Sequence, residues 1–185
     1  VFYDSYRLIE ILKEIEENNE LILKMHFMSQ PVGYNFSIEN AKKIESILFN
    51  SKKLKFDGYN QMVDGSVSVK EADVVGGYED GNFCKMEIDY EKLENDAILA
   101  DSNGYRFSLH GQGDGAVSKI IDIFNKCKKN ENGKLVNRHA ITDLEFANPN
   151  SYKKMADLGI FAEIYPQILS IYDNSNEKIN LTYER

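Results

Sequence analysis

Apolar residues recur along this chain at two rhythms, and the switches between them divide it into elements. Over residues 3–17, Leu8, Ile11, Leu12 and Ile15 return at spacings of three and four, which predicts an amphipathic helix. From 21 to 28 the period falls to two: Leu21, Leu23, Met25 and Phe27 share one face, and Lys24 and His26 the other. After a loop containing Pro31, Ser37 is placed to cap a helix over 38–49, with Ala41, Ile44 and Leu48 as its buried stripe. A strand is predicted over 54–64, with Asn60, Met62 and Asp64 alternating against Tyr59, Gln61 and Val63. Residues 65–88 show no helical period, and a loop of that length points to a substrate-facing role or a disordered crossover.

The second half repeats the scheme. Asp89 is placed to cap a helix over 90–102 that ends at Asn103-Gly104. A strand over 105–110 follows, with Tyr105, Phe107 and Leu109 on one face and Arg106, Ser108 and His110 on the other. Asp114 reads as the cap of a helix carrying Val117, Ile120, Ile121, Phe124 and Cys127. Residues 138–144 form the next strand, with His139, Ile141 and Asp143 on one face and Ala140, Thr142 and Leu144 on the other. Asn148-Pro149 opens a short helix with Tyr152, Met155 and Ala156, stopped by Gly159, and 160–166 is a strand with Glu163 and Tyr165 on its polar face.

Strands alternating with helices imply parallel β-α-β units and an α/β fold. A doubly wound sheet buries both faces, yet here each strand keeps a polar one: Lys24, His26, Asn60, Asp64, Arg106, Ser108, His110, His139, Asp143 and Glu163. A wall wet on one side and helix-packed on the other suits a partial (β/α)8 TIM barrel of about five parallel strands. Residues 1–173 are expected to form this domain and 174–185 a tail.

Composition narrows the partners. Hydrophobic residues at 42% support a real core, and a net charge of −8 argues against a nucleic-acid surface. The two cysteines, Cys84 and Cys127, lack metal-ligand spacing and read as reduced thiols of a cytoplasmic protein. No apolar run reaches the ~20 residues of a membrane span. Exposed sheet edges predict a homo-oligomer.

Barrels build their sites where strands end. The last polar residues of the strands are His26, Asp64, His110, Asp143 and Tyr165, and imidazole and carboxylate groups converging there suit a divalent ion or acid–base work. Each also has a plainer role. His110 alone would be a hydrogen-bonded strand-end residue, Asp64-Gly65 a turn, His26 a buried or half-buried residue without chemistry, and His139 should lie low, away from the mouth. Residues 111–115 are glycine-rich but lack the GK[ST] of a P-loop.

Four stretches resemble the YtcJ-like branch, amidohydrolase 3, of the metal-dependent amidohydrolases. They are Gly58-Tyr-Asn-Gln-Met-Val-Asp-Gly-Ser66 with Tyr78, Leu109-His-Gly-Gln-Gly-Asp-Gly-Ala116, Arg138-His-Ala-Ile-Thr-Asp143, and Met155-Ala-Asp-Leu-Gly-Ile-Phe-Ala162 with Tyr165-Pro166. The resemblance implies a central fragment of a TIM-barrel enzyme that hydrolyses an amide or other C–N bond of a small molecule with a metal-activated water, the metal being zinc. It places His110 and Asp143 on metal-ligand positions, gives Asp143 a catalytic role, and leaves Asn60, Asp64 and Tyr165 facing substrate. Asn60 stands where the family has a carboxylatable lysine, Asp143 where it has a histidine, and the family's HxH falls outside this chain. The isolated segment is therefore expected to be inactive, with the metal belonging to the intact protein. The alternative is a degenerate, non-catalytic barrel segment with a binding or assembly role.

Overall fold

The computed structural model of the chain describes residues 6–30 and 36–165. In order, these form α1 (Tyr6–Glu17), β1 (Met25–Ser29), α2 (Ile38–Ile47), β2 (Leu54–Met62), a 3-10 turn (Val67–Val69), α3 (Tyr90–Ser102), β3 (Arg106–Gly111), α4 (Asp114–Phe124), β4 (Ala140–Asp143), α5 (Pro149–Leu158) and β5 (Phe161–Ile164). The expected tail and Pro166 lie outside the described residues.

All five strands join one parallel sheet in the order β1-β2-β3-β4-β5. Chain order equals spatial order, so the sheet has no reversal point of the kind that defines a doubly wound fold. It is a stretch of barrel wall.

Local signals explain most boundaries. The Ser37 side chain accepts from Asn40 N, Asp89 from Lys92 N and Asn148 from Ser151 N, each satisfying an amide that its helix leaves open. Gly159 ends α5 in the left-handed conformation, at φ 75°. Two readings change. Asp114 is the first residue of α4 rather than its cap; Gly113 takes the cap position, and Asp114 Oδ1 accepts from Val75 N at 3.0 Å. In α1 the buried residue is Ile9, while Leu8 and Ile11 of the expected stripe are exposed, because a helix at the edge of the layer covers little.

The helix-packed face holds the core. Phe56, Tyr59, Tyr105 and Phe107 form an aromatic cluster with Phe36, and Leu109, Ile141, Val117 and Ile120 continue it toward α4. Each such side chain, fully buried, is worth roughly 1.5–3 kcal/mol. Phe56 and Tyr59 reach the same face although three residues apart. The register against β1 slips after Phe27, which pairs with Phe56, so that Met28 pairs with Gly58 and Asp57 is bulged. Gly58 takes φ 141° there, and a Cβ would sit 2.0 Å from Arg106 O, so the bulge requires glycine.

The other face stays polar. Arg106 pairs with Glu163, Ser108 Oγ donates to Glu163 Oε2 at 3.0 Å, and Asn60 Nδ2 donates to Ser108 O at 3.1 Å. On β4 the register aligns Thr142 with His110 and Ala140 with Ser108, so Ala140 and Thr142 occupy this face. His139 and Ile141 turn to the helices, the reverse of the face expected for His139.

Candidate functional site

His110 lies next to last in β3, Asp64 two residues beyond β2, and Asp143 at the end of β4. Three neighbouring strands thus bring them together at one edge. His110 Nδ1 is 3.4 Å from Asp64 Oδ1, and Nε2 is 3.4 Å from Asp143 Oδ2. The imidazole is held between two carboxylates. Neither approach is a good hydrogen bond, and Nδ1 is buried without a hydrogen-bond partner.

Asp64 does more than face His110. It is fully buried, and its carboxylate accepts from Gln112 N at 2.9 Å, Gly113 N at 2.8 Å and Asp73 N at 3.0 Å. One side chain therefore ties the turn after β3 to the long loop after β2. That loop is ordered on its own small core of Val67, Ala72, Val74 and Tyr78, with Phe146 against it. Asp73 O accepts from Gly115 N at 2.8 Å, and Lys119 pairs with Asp73 at 2.7 Å. The contact is so close that a Cβ on Gly113 would meet Asp73 O at 2.2 Å.

Asp143 reaches His110 by an unusual backbone. Strand alternation would send its side chain to the helix side with Ile141. Instead Asp143 and Leu144 take φ 68° and 47°, left-handed values that cost non-glycine residues roughly 1–3 kcal/mol each. Leu144 N still bonds Gly111 O, and Phe146 N bonds Gln112 O, so the segment stays anchored to β3 through the turn.

Burial alone would lower the His110 pKa; the Asp64 and Asp143 carboxylates outweigh it and raise it above the ordinary value. Glu145 joins the same field. Burial, then the Asp143 charge, raises its pKa, against the pull of His110, and its Oε2 is buried without a partner.

The remaining candidates sit apart from this contact. Asn60 is aligned with Ser108, below His110 on the open face, and spends an amide donor on Ser108 O. Tyr165 lies just past β5 and is half exposed. His26, expected to be buried or half-buried, is largely exposed and lies 3.0 Å from Asp57.

Two groups have the chemistry to hold a metal. At the strand ends, His110 Nε2 and Asp143 Oδ2 are 3.4 Å apart. Two ligands at the ~2.0–2.1 Å typical of zinc, set at a tetrahedral angle, stand about 3.4 Å apart as well. A carboxylate behind the other ring nitrogen, as Asp64 is, commonly orients a metal-binding histidine. The pair could supply two ligands to a divalent ion, fewer than the three or four protein ligands of a zinc site.

The second group is Asp101, Cys127 and His139, all buried, with ligand-type atoms within 4.8 Å of one another. Here the groups already have partners. His139 Nε2 is 2.9 Å from Asp101 Oδ1, its Nδ1 accepts from Phe107 N, and Asp101 also takes Lys128 N and Asn137 Nδ2. Burial pushes the Cys127 thiol up to about 12, so it is protonated at neutral pH. A metal there would have to displace this network.

Sequence reasoning missed Glu145 and the Asp101–His139 pair. An acid two residues beyond the Asp143 strand end was the available signal for the first. The second joins residues 38 apart and had none.

The chain matches no known protein-family model. It is 29% identical over 121 residues to Protein LONG AFTER FAR-RED 3 of Arabidopsis thaliana, covering 64% of this chain and 21% of that protein. Among solved structures it is similar to an uncharacterized metal-dependent hydrolase from Pyrococcus horikoshii OT3, with TM-score 0.68 and 20% identity over 88% of this chain and 31% of that one. A second, from Pyrococcus furiosus, gives TM-score 0.67 and 19% identity over 88% and 33%. The chain thus has an α/β fold similar to that of these two solved structures. It spans about a fifth of the plant protein and a third of each hydrolase.

Proposed function

We propose that this chain carries part of the active site of a metal-dependent hydrolase of the YtcJ-like amidohydrolase kind. The observation that carries the reading is His110 held between Asp64 and Asp143 at the C-terminal ends of adjacent parallel strands. The shared fold with two metal-dependent hydrolases supports it.

His110 Nε2 and Asp143 Oδ2 would hold a divalent ion, with zinc the expected metal. When bound, the ion supplies Lewis acidity and lowers the pKa of a water toward ~7. The Asp64 carboxylate faces Nδ1 from behind at 3.4 Å, leaving Nε2 toward Asp143, which accepts a proton from the attacking water. The substrate is a small molecule with an amide or other C–N bond, approaching over the open face that Asn60, Arg106 and Glu163 floor.

A second reading is a non-catalytic barrel segment that serves binding or assembly. It is favoured by Asn60, which cannot be carboxylated and already bonds Ser108 O, and by exposed Phe161, Ile164 and Tyr165 along and just beyond edge strand β5. Elemental analysis of the purified intact parent protein, with a panel of amide substrates, separates the two. The enzyme reading expects bound divalent ion and hydrolysis, both lost in His110→Ala and Asp143→Asn. Metal-free protein with no hydrolysis, or hydrolysis indifferent to both substitutions, supports the second.

A further inference from the structure

We propose that a pocket on the helix-packed side of the sheet, between β2 and the start of α3, binds a small alkylammonium ligand. The pocket encloses about 190 Å3 and has Gln61 of β2 in its wall. It lies on the opposite face of the sheet from His110: Gln61 pairs with Leu109, a core residue, while Met62 pairs with His110. The inference is therefore independent of the reading of the strand ends.

Gln61 holds a position that alternation gives to the core. Tyr59 and Val63, two residues to either side, are buried and apolar, and Gln61 itself is 4% exposed. Its Oε1 is buried without a hydrogen-bond partner, and no described residue bonds its Nε2. A carboxamide kept dry and unpartnered costs free energy that a leucine at this position would not. Because a half-turn of the amide exchanges its oxygen and nitrogen, Gln61 can present either an acceptor or a donor to the pocket. A ligand there supplies the partner that the fold leaves out.

The rim sets the sign of that ligand. Glu87, Asp89 and Asp96 bring three carboxylates, and Lys92 brings one ammonium. Lys92 pairs with Asp96, and Asp89 Oδ1 accepts from Lys92 N at 2.9 Å. Glu87 forms no ion pair among the described residues. The surplus is negative, and Glu87 is the carboxylate with no task in the fold. Ile88 and Leu93 add an apolar wall. The volume is below the ~300 Å3 at which pockets for drug-sized ligands begin. These features together suit a cation with a short alkyl chain, its N–H groups donating to Gln61 Oε1 and Glu87 and its carbons lying against Ile88 and Leu93.

Titration of the full chain with n-propylammonium, n-propanol and propionate at neutral pH tests this, read by amide NMR at the Gln61 side chain and the Leu93 backbone. Propylammonium should shift both resonances saturably, and the neutral and anionic probes should bind roughly tenfold more weakly or worse. Gln61→Leu, read at Leu93, should cut propylammonium affinity roughly tenfold. Without ligand it should melt no lower than the wild type, because an unpartnered amide has been removed. Glu87→Gln, at an exposed position, should fold as the wild type and lose affinity severalfold.

No saturable response to propylammonium overturns the proposal, as does an equal response to all three probes, which would mark an unselective apolar cleft. Unchanged affinity in Gln61→Leu overturns the role of the amide. A ligand-free Gln61→Leu variant that is strongly destabilised would show a structural role for it and count against the proposal, and unchanged affinity in Glu87→Gln would then end it.

Discussion

Replacing Asp64 is the sharpest perturbation that the structure offers. In Asp64→Ala the amides of Gln112, Gly113 and Asp73 lose their acceptor at a fully buried position. A buried donor left unsatisfied costs about 1–3 kcal/mol, so the three together set a floor of about 3 kcal/mol. With a urea m-value of about 2 kcal/mol/M for a small domain, the midpoint should fall by roughly 1.5 M. Asp64→Asn keeps one oxygen and presents an NH2 group to the remaining amides, so about half that loss is expected. The chain has no tryptophan, and far-UV circular dichroism is the suitable probe. NMR titration of His110 adds a second readout: with the negative charge gone, its pKa should move down toward the ordinary value. A midpoint shift below about 0.5 M in Asp64→Ala would refute the view that this carboxylate ties the two segments together.

Two further outcomes follow from other contacts. Gly113→Ala should cost about 1–3 kcal/mol by forcing Asp73 away, and should speed exchange of the Gly115 amide; unchanged exchange would show that the loop is not docked there. The His139 pKa is lowered, first by burial and against the pull of Asp101. Below about pH 6.5 the unfolded chain then takes up a proton that the folded chain resists, so stability falls as pH drops. His110, whose pKa is raised, contributes stability at low pH that is lost as pH rises, so the contrast must be with a variant. His139→Gln should flatten the decline between pH 7 and 5 in urea titrations, and an unaltered slope would sink the assignment.

The periodicities were enough to find the five α-helices and five strands of the described residues, though not the 3-10 turn at Val67–Val69, because amphipathic spacing and caps such as Ser37, Asp89 and Asn148 act within a few residues. They also located the strand-end edge where Asp64, His110 and Asp143 meet, since strand ends are local properties. Face assignment held in β3, as for Ser108 and His110, but was reversed in β4, where Ala140 and Thr142 rather than His139 and Ile141 occupy the polar face. Two backbone departures could not be read from alternation: the bulge at Asp57 and Gly58 in β2, and left-handed Asp143 and Leu144, after which the Asp143 carboxylate lies beside His110.

By itself, then, the sequence determined an α/β wall of parallel strands, wet on one face, with His110 near the C-terminal end of its central strand. Tertiary structure alone decided what each acid there does. It buried Asp64 in amides from two distant segments and gave His139 to Asp101. It also left Glu145 Oε2 without a partner. The reason is that alternation is a property of neighbouring residues, whereas burial and partnership belong to segments that meet only when the sheet closes its contacts.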